Sequence, residues 1–211
     1  MKIFKEYLNK SYHFDKPIMG AILSAIWAVS GIYGFIYEVI FYYFNGSMEY
    51  VYWRGGCFGP WIVIYGVGAL FIYFLTYRFK KKPWLVCLIS GIVCGLLEGA
   101  TGAFFYYCLD GKRNWDYNTE ILNFGNIGGF VCLRSVLIFA VSGLMLIYII
   151  VPVLFHLAQK MNRKAFMIIS YGIGLLFLID VLYNTVLANH IPSLYNAEQL
   201  YKSLGFHFMQ F

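Results

Sequence analysis

The stretch PIMGAILSAIWAVSGIYGFIYEVIFYYF, residues 17–44, decides the fold class. It holds a single charged side chain, Glu38, and exceeds the roughly 20 apolar residues that a helix needs to cross a bilayer. The rest of the chain has the same character, with 61% hydrophobic and 12% charged residues over 211 positions. Soluble domains carry about 25% charged residues. The sequence therefore predicts an all-α integral membrane protein.

Four more apolar segments are long enough to cross a membrane. Together with the first they predict about five transmembrane helices, at residues 17–44, 60–77, 84–108, 128–155 and 166–188. We expect a single membrane domain over residues 1–211, with 1–16 as a cytoplasmic arm and 189–211 as an extracellular tail. The arm does not have the pattern of a cleaved signal peptide, since the apolar run after it is too long.

Lysine and arginine are distributed unequally between the predicted connections. Eleven lie in the arm, in the second-to-third connection and in the fourth-to-fifth connection, whereas four lie in the other connections and the tail. Because cytoplasmic loops carry an excess of these residues, we expect a multi-pass protein of the cell membrane with its N-terminus cytoplasmic and its C-terminus extracellular. Topology also accounts for the net charge of +6, so the expected surrounding is the lipid bilayer and not nucleic acid.

Two segments of the chain resemble each other. GIYGFIYE at 31–38 aligns with GIVCGLLE at 91–98, and each is followed by an FYY triplet, at 41–43 and at 105–107. This pattern predicts a tandem repeat of two helical hairpins. Parallel repeats build some transporters, with the binding site at the repeat interface. The alternative, chance similarity between two glycine-rich apolar helices, stays open.

Four charged residues fall within the predicted helices: Glu38, Glu98, Arg134 and Asp180. A charge facing lipid is costly, so each should face protein or water. All four lie in the outer half of their helices or near the midplane, which predicts one polar pocket opening outward. Its net negative charge would attract a cation or hold a proton shared between Glu38 and Glu98. The alternative is a structural network that only pins the helices together.

Other chemistry has little support in the sequence. It contains no G-x-x-x-x-G-K-[ST], H-E-x-x-H or G-x-S-x-G motif. The five cysteines include no C-x-x-C pair and are predicted to be small core residues, with a disulfide between Cys57 and Cys108 left open. We therefore expect no cofactor, no metal, no catalytic residue and no enzyme activity.

Two outer loops carry a family resemblance. WRGGCFGPWIVIYGVGA at 53–69 and NWDYNTEILNFGNIGGFVCLRS at 114–135 resemble the two signature blocks of the CmpB-type family of bacterial ABC-transporter permeases, the type IV group. The resemblance covers about residues 28–152. The matching positions are Glu38, Arg54, Gly55, Gly59, Pro60, Tyr65, Gly66, Gly68, Glu98, Trp115, Asp116, Tyr117 and Gly128. Trp53, Asn118 and the segment 61–63 depart from the family pattern.

The resemblance implies a membrane component of a small-solute transport system, permease-like or substrate-capturing, energised by a separate ATPase subunit. Arg54, Trp115, Asp116 and Tyr117 would form the mouth of its binding site, and the four helix charges would line the pocket. A negative pocket with aromatic faces favours a small cationic ligand. Two alternatives stay open: an accessory or assembly subunit with no ligand, and a membrane-embedded enzyme using paired carboxylates. A homo-oligomer also stays open.

Overall fold

A computed structural model describes residues 7–46, 48, 53–108, 111, 113, 115–191 and 193–207. Parts of the predicted arm (1–6) and of the predicted tail (208–211) lie outside these residues. The main elements are α1 (Lys16–Asn45), α2 (Val63–Thr76, continued by a 3₁₀ turn at Tyr77–Phe79), α3 (Pro83–Cys108), α4 (Leu133–Lys160), α5 (Arg163–Leu187) and α6 (Ala197–Ser203).

Four of these helices, α1, α3, α4 and α5, are long and apolar enough to cross a membrane. The fifth apolar helix, α2 with its 3₁₀ turn, is shorter. The predicted all-α membrane protein with about five spans is confirmed.

The helix starts follow local capping chemistry. The Asp15 side chain accepts a hydrogen bond from the backbone N–H of Ile18 at 3.3 Å, and proline occupies the first turn of α1. At α5 the Asn162 side chain accepts from the N–H groups of Lys164 and Ala165. These caps satisfy backbone donors that the first helical turn leaves without a partner.

The fourth helix begins at Leu133, later in the chain than the apolar pattern predicted. Gly128 and Gly129 have φ angles of +61° and +80°, which a helix does not tolerate, and Ile127 pairs with Val131 in an isolated bridge. Arg134 therefore lies in the first turn of α4 and not deep within a span.

Two helices contain a widened π-helical turn. In α4 it covers Leu146–Ile150, directly before Pro152, which has no N–H to donate to the carbonyl of Tyr148. In α5 it covers Tyr183–Leu187.

The chain divides into two compact units. The first, called the α3–α4 unit, contains the described residues 7–12 and 68–153. Its two long helices approach closely at glycines. A Cβ added at Gly91 would lie 3.2 Å from Ala140, and one at Gly95 would lie 2.8 Å from the side chain of Val136. Gly91 and Gly95, four residues apart on α3, therefore allow the two helices to pack closely.

The N-terminal residues of the α3–α4 unit are held by Lys80, between α2 and α3. Its ammonium group donates to the carbonyls of Tyr7 and Lys10, at 2.9 Å each, and lies 4.6 Å and 4.9 Å from the ring centroids of Tyr7 and Tyr77. Burial, together with the neighbouring Lys81, lowers the pKa of Lys80. Lys80 thus fixes Tyr7 and Lys10 of the arm to the α2–α3 connection.

The second unit, called the α1–α5 unit, contains the described residues from 13–67 and 154–207. The Phe177 ring of α5 stacks on Trp27 and Trp61, with centroids 4.4 Å and 5.0 Å apart. A Cβ at Gly174 would meet the Ser24 hydroxyl, so only glycine allows this approach of α5 to α1.

All five cysteines of the chain are free thiols.

Candidate functional site

The four charged residues predicted within helices divide between the two units. Glu98 and Arg134 belong to the α3–α4 unit, and Glu38 and Asp180 belong to the α1–α5 unit. Within each unit the described contacts give every one of these side chains its own polar partners. The pocket shared by all four stays a prediction.

Glu98 lies on α3 and is only 6% exposed. Its Oε1 accepts a hydrogen bond from the Tyr117 hydroxyl at 2.5 Å, and its Oε2 accepts from the Ser135 hydroxyl at 2.6 Å. Ser135 lies in the first turn of α4, and Tyr117 in the loop that precedes it. One carboxylate therefore joins two helices and the loop between them.

The loop that carries Tyr117 is itself ordered by hydrogen bonds to backbone carbonyl groups. The N–H of Tyr117 donates to the Gly129 carbonyl at 3.1 Å, and the Trp115 indole donates to the Phe130 carbonyl at 2.9 Å. The Asn123 side chain closes the loop by donating to the Tyr117 carbonyl. Trp115 and Tyr117, predicted as part of a ligand mouth, thus also hold the loop in shape.

Asp116 belongs to a polar group packed against Gly129. Its carboxylate accepts from the backbone and side-chain nitrogens of Asn118 at 3.0 Å and 2.7 Å, and Arg113 lies 3.6 Å away. A Cβ at Gly129 would come within 2.4 Å of the Asp116 and Asn118 side chains. Asp116 therefore stabilises a turn, and it is partly exposed to solvent.

Arg134 pairs with Glu120, a residue that the sequence reasoning missed. Its Nη2 lies 2.5 Å from Glu120 Oε2, its Nη1 donates to the Ile121 carbonyl at 3.4 Å, and its guanidinium lies 5.1 Å from the Tyr117 ring centroid. The Glu120 side chain is 1% exposed. No pattern in the sequence indicated that this loop residue becomes buried.

Asp180 on α5 is surrounded by N–H donors from the loop before α2. Its Oδ1 accepts from the backbone N–H of Phe58 at 2.9 Å, and its Oδ2 accepts from the N–H of Gly59 at 2.7 Å and the Trp61 indole at 2.9 Å. The Asn184 side chain adds a fourth donor at 2.7 Å. This carboxylate holds the WRGGCFGPW loop onto α5.

The same loop is joined to the C-terminal segment. Asn184 accepts from the N–H of Ala197 at 2.7 Å, and the Tyr201 hydroxyl donates to the Phe58 carbonyl. The Tyr201 ring stacks on Trp53 with centroids 3.7 Å apart. Burial, with the nearby Asp180 charge, raises the pKa of the Cys57 thiol to about 12. Asn184 and Tyr201 were not predicted as site residues.

Glu38 pairs with Arg54, which the sequence predicted at the mouth of the site. The Arg54 Nε lies 2.9 Å from Glu38 Oε2, and its guanidinium lies 4.0 Å from the Tyr42 ring centroid. The two side chains are 12% and 16% exposed, so this pair is more accessible than Glu98. It joins the C-terminal part of α1 to the loop that follows.

The α1–α5 unit also has an open cleft of about 500 Å³ at the N-terminal ends of α1 and α5. Its lining residues are His13, Phe14, Asp15, Ile18, Ala158, Gln159, Met161 and Arg163. Asp15 and Arg163 form an ion pair there, and Arg163, with the Ile18 N–H, lowers the pKa of Asp15.

These arrangements can bind charge and transfer protons, but they do not resemble a metal centre. Among the residues that the model describes, no three His, Cys, Asp or Glu side chains are grouped to hold a metal ion. Apart from the Arg113–Asp116 pair, the site charges of each unit are two carboxylates and one arginine: Glu98, Glu120 and Arg134 in the α3–α4 unit, and Glu38, Asp180 and Arg54 in the α1–α5 unit.

Comparison with known proteins identifies a family. The family model described as "Putative ABC-transporter type IV", the CmpB type, matches residues 25–185. No curated protein and no solved structure matches the chain. Since the family model covers more than half of the sequence, including both signature loops and the helices that carry Glu38, Glu98, Arg134 and Asp180, this chain belongs to the ABC-transporter type IV family of CmpB-type membrane proteins.

Proposed function

We propose that this chain is a permease-type subunit that handles a small solute and works with a separate ATPase subunit. Its family and its membrane-spanning helices support a transport role. The sequence has no phosphate-binding loop, so ATP hydrolysis would be supplied by another chain.

The observation that carries this proposal is Glu98. An ionisable side chain at the centre of a membrane helix costs about 2.5–3.5 kcal/mol or more, and such residues usually mark a pathway or binding site. Glu98 lies ten residues before the end of α3, at Cys108, and is tied to the signature loop through Tyr117. A change at the loop is therefore transmitted directly to a buried acid.

Our proposal for topology places the N-terminus in the cytoplasm and the signature loops outside. The basic residues of the α2–α3 and α4–α5 connections support this orientation through the positive-inside rule. The cleft beside Asp15 and Arg163 would then lie on the cytoplasmic side, where an ATPase subunit can reach it.

The proposed solute is a small cation. Each group of two carboxylates and one arginine, Glu98, Glu120 and Arg134 or Glu38, Asp180 and Arg54, carries an excess of negative charge if all are ionised. The aromatic rings near these charges give the cationic solute little further support. Arg54 already lies over the Tyr42 ring, and Arg134 lies over the Tyr117 ring.

Binding of three labelled probes to the full chain in lipid nanodiscs tests the solute class. The probes are tetramethylammonium for cations, glutamate for anions and glucose for neutral solutes. We expect saturable binding of tetramethylammonium, reduced at least tenfold by Glu98→Gln, which corresponds to a loss of about 1.4 kcal/mol. Glu198→Gln is the matched control, because Glu198 is an exposed carboxylate paired with Lys202.

Tighter binding of glutamate or glucose than of tetramethylammonium would contradict a cationic solute but would remain consistent with a transport role. Absence of binding by all three probes, with Glu98→Gln folded as the native chain, would contradict a solute site at Glu98.

The second candidate is an accessory or assembly subunit whose buried charges are structural. Asp180 favours this candidate, because its four N–H donors satisfy the carboxylate and leave it no evident role beyond fixing the loop. If this is correct, substitutions at Glu98 and Asp180 would lower stability by similar amounts, and neither would change the binding of any probe.

A further inference from the structure

Two buried carboxylates in this chain are held by different kinds of donor. Asp180 accepts from N–H groups of Phe58, Gly59, Trp61 and Asn184. Glu98 accepts from two hydroxyl groups, those of Tyr117 and Ser135. An N–H group can only donate, so it stabilises the ionised acid. A hydroxyl can donate or accept, so it can also stabilise the protonated acid.

Ser135 has a second acceptor within reach of its single hydroxyl hydrogen. Its Oγ lies 2.6 Å from Glu98 Oε2 and 2.8 Å from the carbonyl oxygen of Cys132. The hydroxyl can therefore point to either atom by rotating about its Cβ–Oγ bond. The backbone N–H of Cys132 donates to the same Oγ at 3.3 Å and keeps it in place.

We propose that Glu98, Tyr117 and Ser135 form a proton-binding site. In the ionised state the Ser135 hydroxyl donates to Glu98 Oε2. When a hydronium ion from the solvent transfers a proton to Oε2, one O–H bond of the hydronium breaks, a new O–H bond forms at Oε2 and a water molecule is left. The Glu98 hydroxyl then donates to Ser135 Oγ, and the Ser135 hydrogen rotates to the Cys132 carbonyl. Every buried polar atom of this group keeps a partner in both states, and the heavy atoms do not move.

The titratable and charged groups that face this site come from all three elements around it. They are Cys94 one turn before Glu98 on α3, Tyr117 and Glu120 from the loop, and Cys132 and Arg134 at the start of α4. The Arg134 guanidinium is paired with Glu120.

Infrared difference spectroscopy of the full chain in lipid nanodiscs tests the proposal. Spectra recorded from mildly alkaline to mildly acidic pH should show the C=O stretch of a buried protonated carboxyl group, which exchanges slowly in D₂O. We expect Glu98→Gln to abolish this band. Glu198→Gln, which makes the same change at an exposed position, should leave it in place.

Two conservative variants keep the test valid if Glu98→Gln does not fold. Ser135→Ala and Tyr117→Phe retain the acid and remove one hydroxyl each, so each should shift the frequency of the band. A band that persists in Glu98→Gln, or that neither variant shifts, would overturn the proposal. So would the absence of a buried-carboxyl band from the native chain at every pH at which circular dichroism shows it folded. The measurement involves no solute, so its outcome is independent of the proposed transport role.

Discussion

Replacing Asp180 by asparagine tests whether this residue is a structural anion. The substitution preserves shape but turns one carboxylate oxygen into an NH₂ group. That group would face two N–H donors, either those of Phe58 and Asn184 or those of Gly59 and Trp61. Two hydrogen bonds to a charged acceptor are lost, at about 1.5–3 kcal/mol each. The free energy of unfolding should therefore fall by about 3–6 kcal/mol.

Unfolding of the purified chain in mixed detergent micelles measures this loss, and alkylation of Cys57 locates it. The native thiol is 2% exposed and has a pKa near 12, so it should react slowly at neutral pH. In Asp180→Asn the loop opens, and Cys57 should react at a rate closer to that of the exposed Cys108. Unchanged stability together with an unreactive Cys57 would refute a structural role for Asp180.

Four further predictions each concern a single position in the chain. Glu120→Ala should lower the free energy of unfolding by about 3–5 kcal/mol, since it leaves the buried Arg134 charge without its partner. Adding Arg134→Met should restore most of that stability. Additive losses in this double-mutant cycle would argue against the pair. Gly129→Ala should destabilise the loop after α3, seen as faster hydrogen exchange there, and an unchanged exchange rate would show that the turn adapts. An impermeant maleimide should label Cys108 in intact cells; labelling only after permeabilisation would reverse the proposed orientation. Lys80→Met should release the N-terminal arm and speed its tryptic cleavage several-fold, whereas an equal rate would mean that other contacts hold the arm.

Much of the fold could be predicted because membrane helices are set by local composition. The apolar run at 17–44 became α1 at Lys16–Asn45, and Asp15 and Pro17 mark its start as capping rules expect. The start of α4 was missed because hydropathy does not register the positive φ angles of Gly128 and Gly129. That error placed Arg134 too far from the start of its helix.

The candidate site was only partly predictable. Glu98 and Asp180 stand out in the sequence because charge is rare in apolar segments, but nothing in the sequence says which donors each acid meets. Those donors come from positions far along the chain, as Phe58 does for Asp180, or from a loop whose path had to be known, as Tyr117 does for Glu98.

The sequence by itself determined that this chain lies in a membrane, where its apolar helices run and which family it belongs to, since those properties depend on composition and short motifs. The tertiary structure alone decided the chemical character of each buried acid. Asp180 meets N–H groups that can only stabilise its charge, and Glu98 meets hydroxyls that can accept as well as donate. The state of a buried acid depends on the hydrogen-bonding groups within about 3 Å, and only folding brings those groups together.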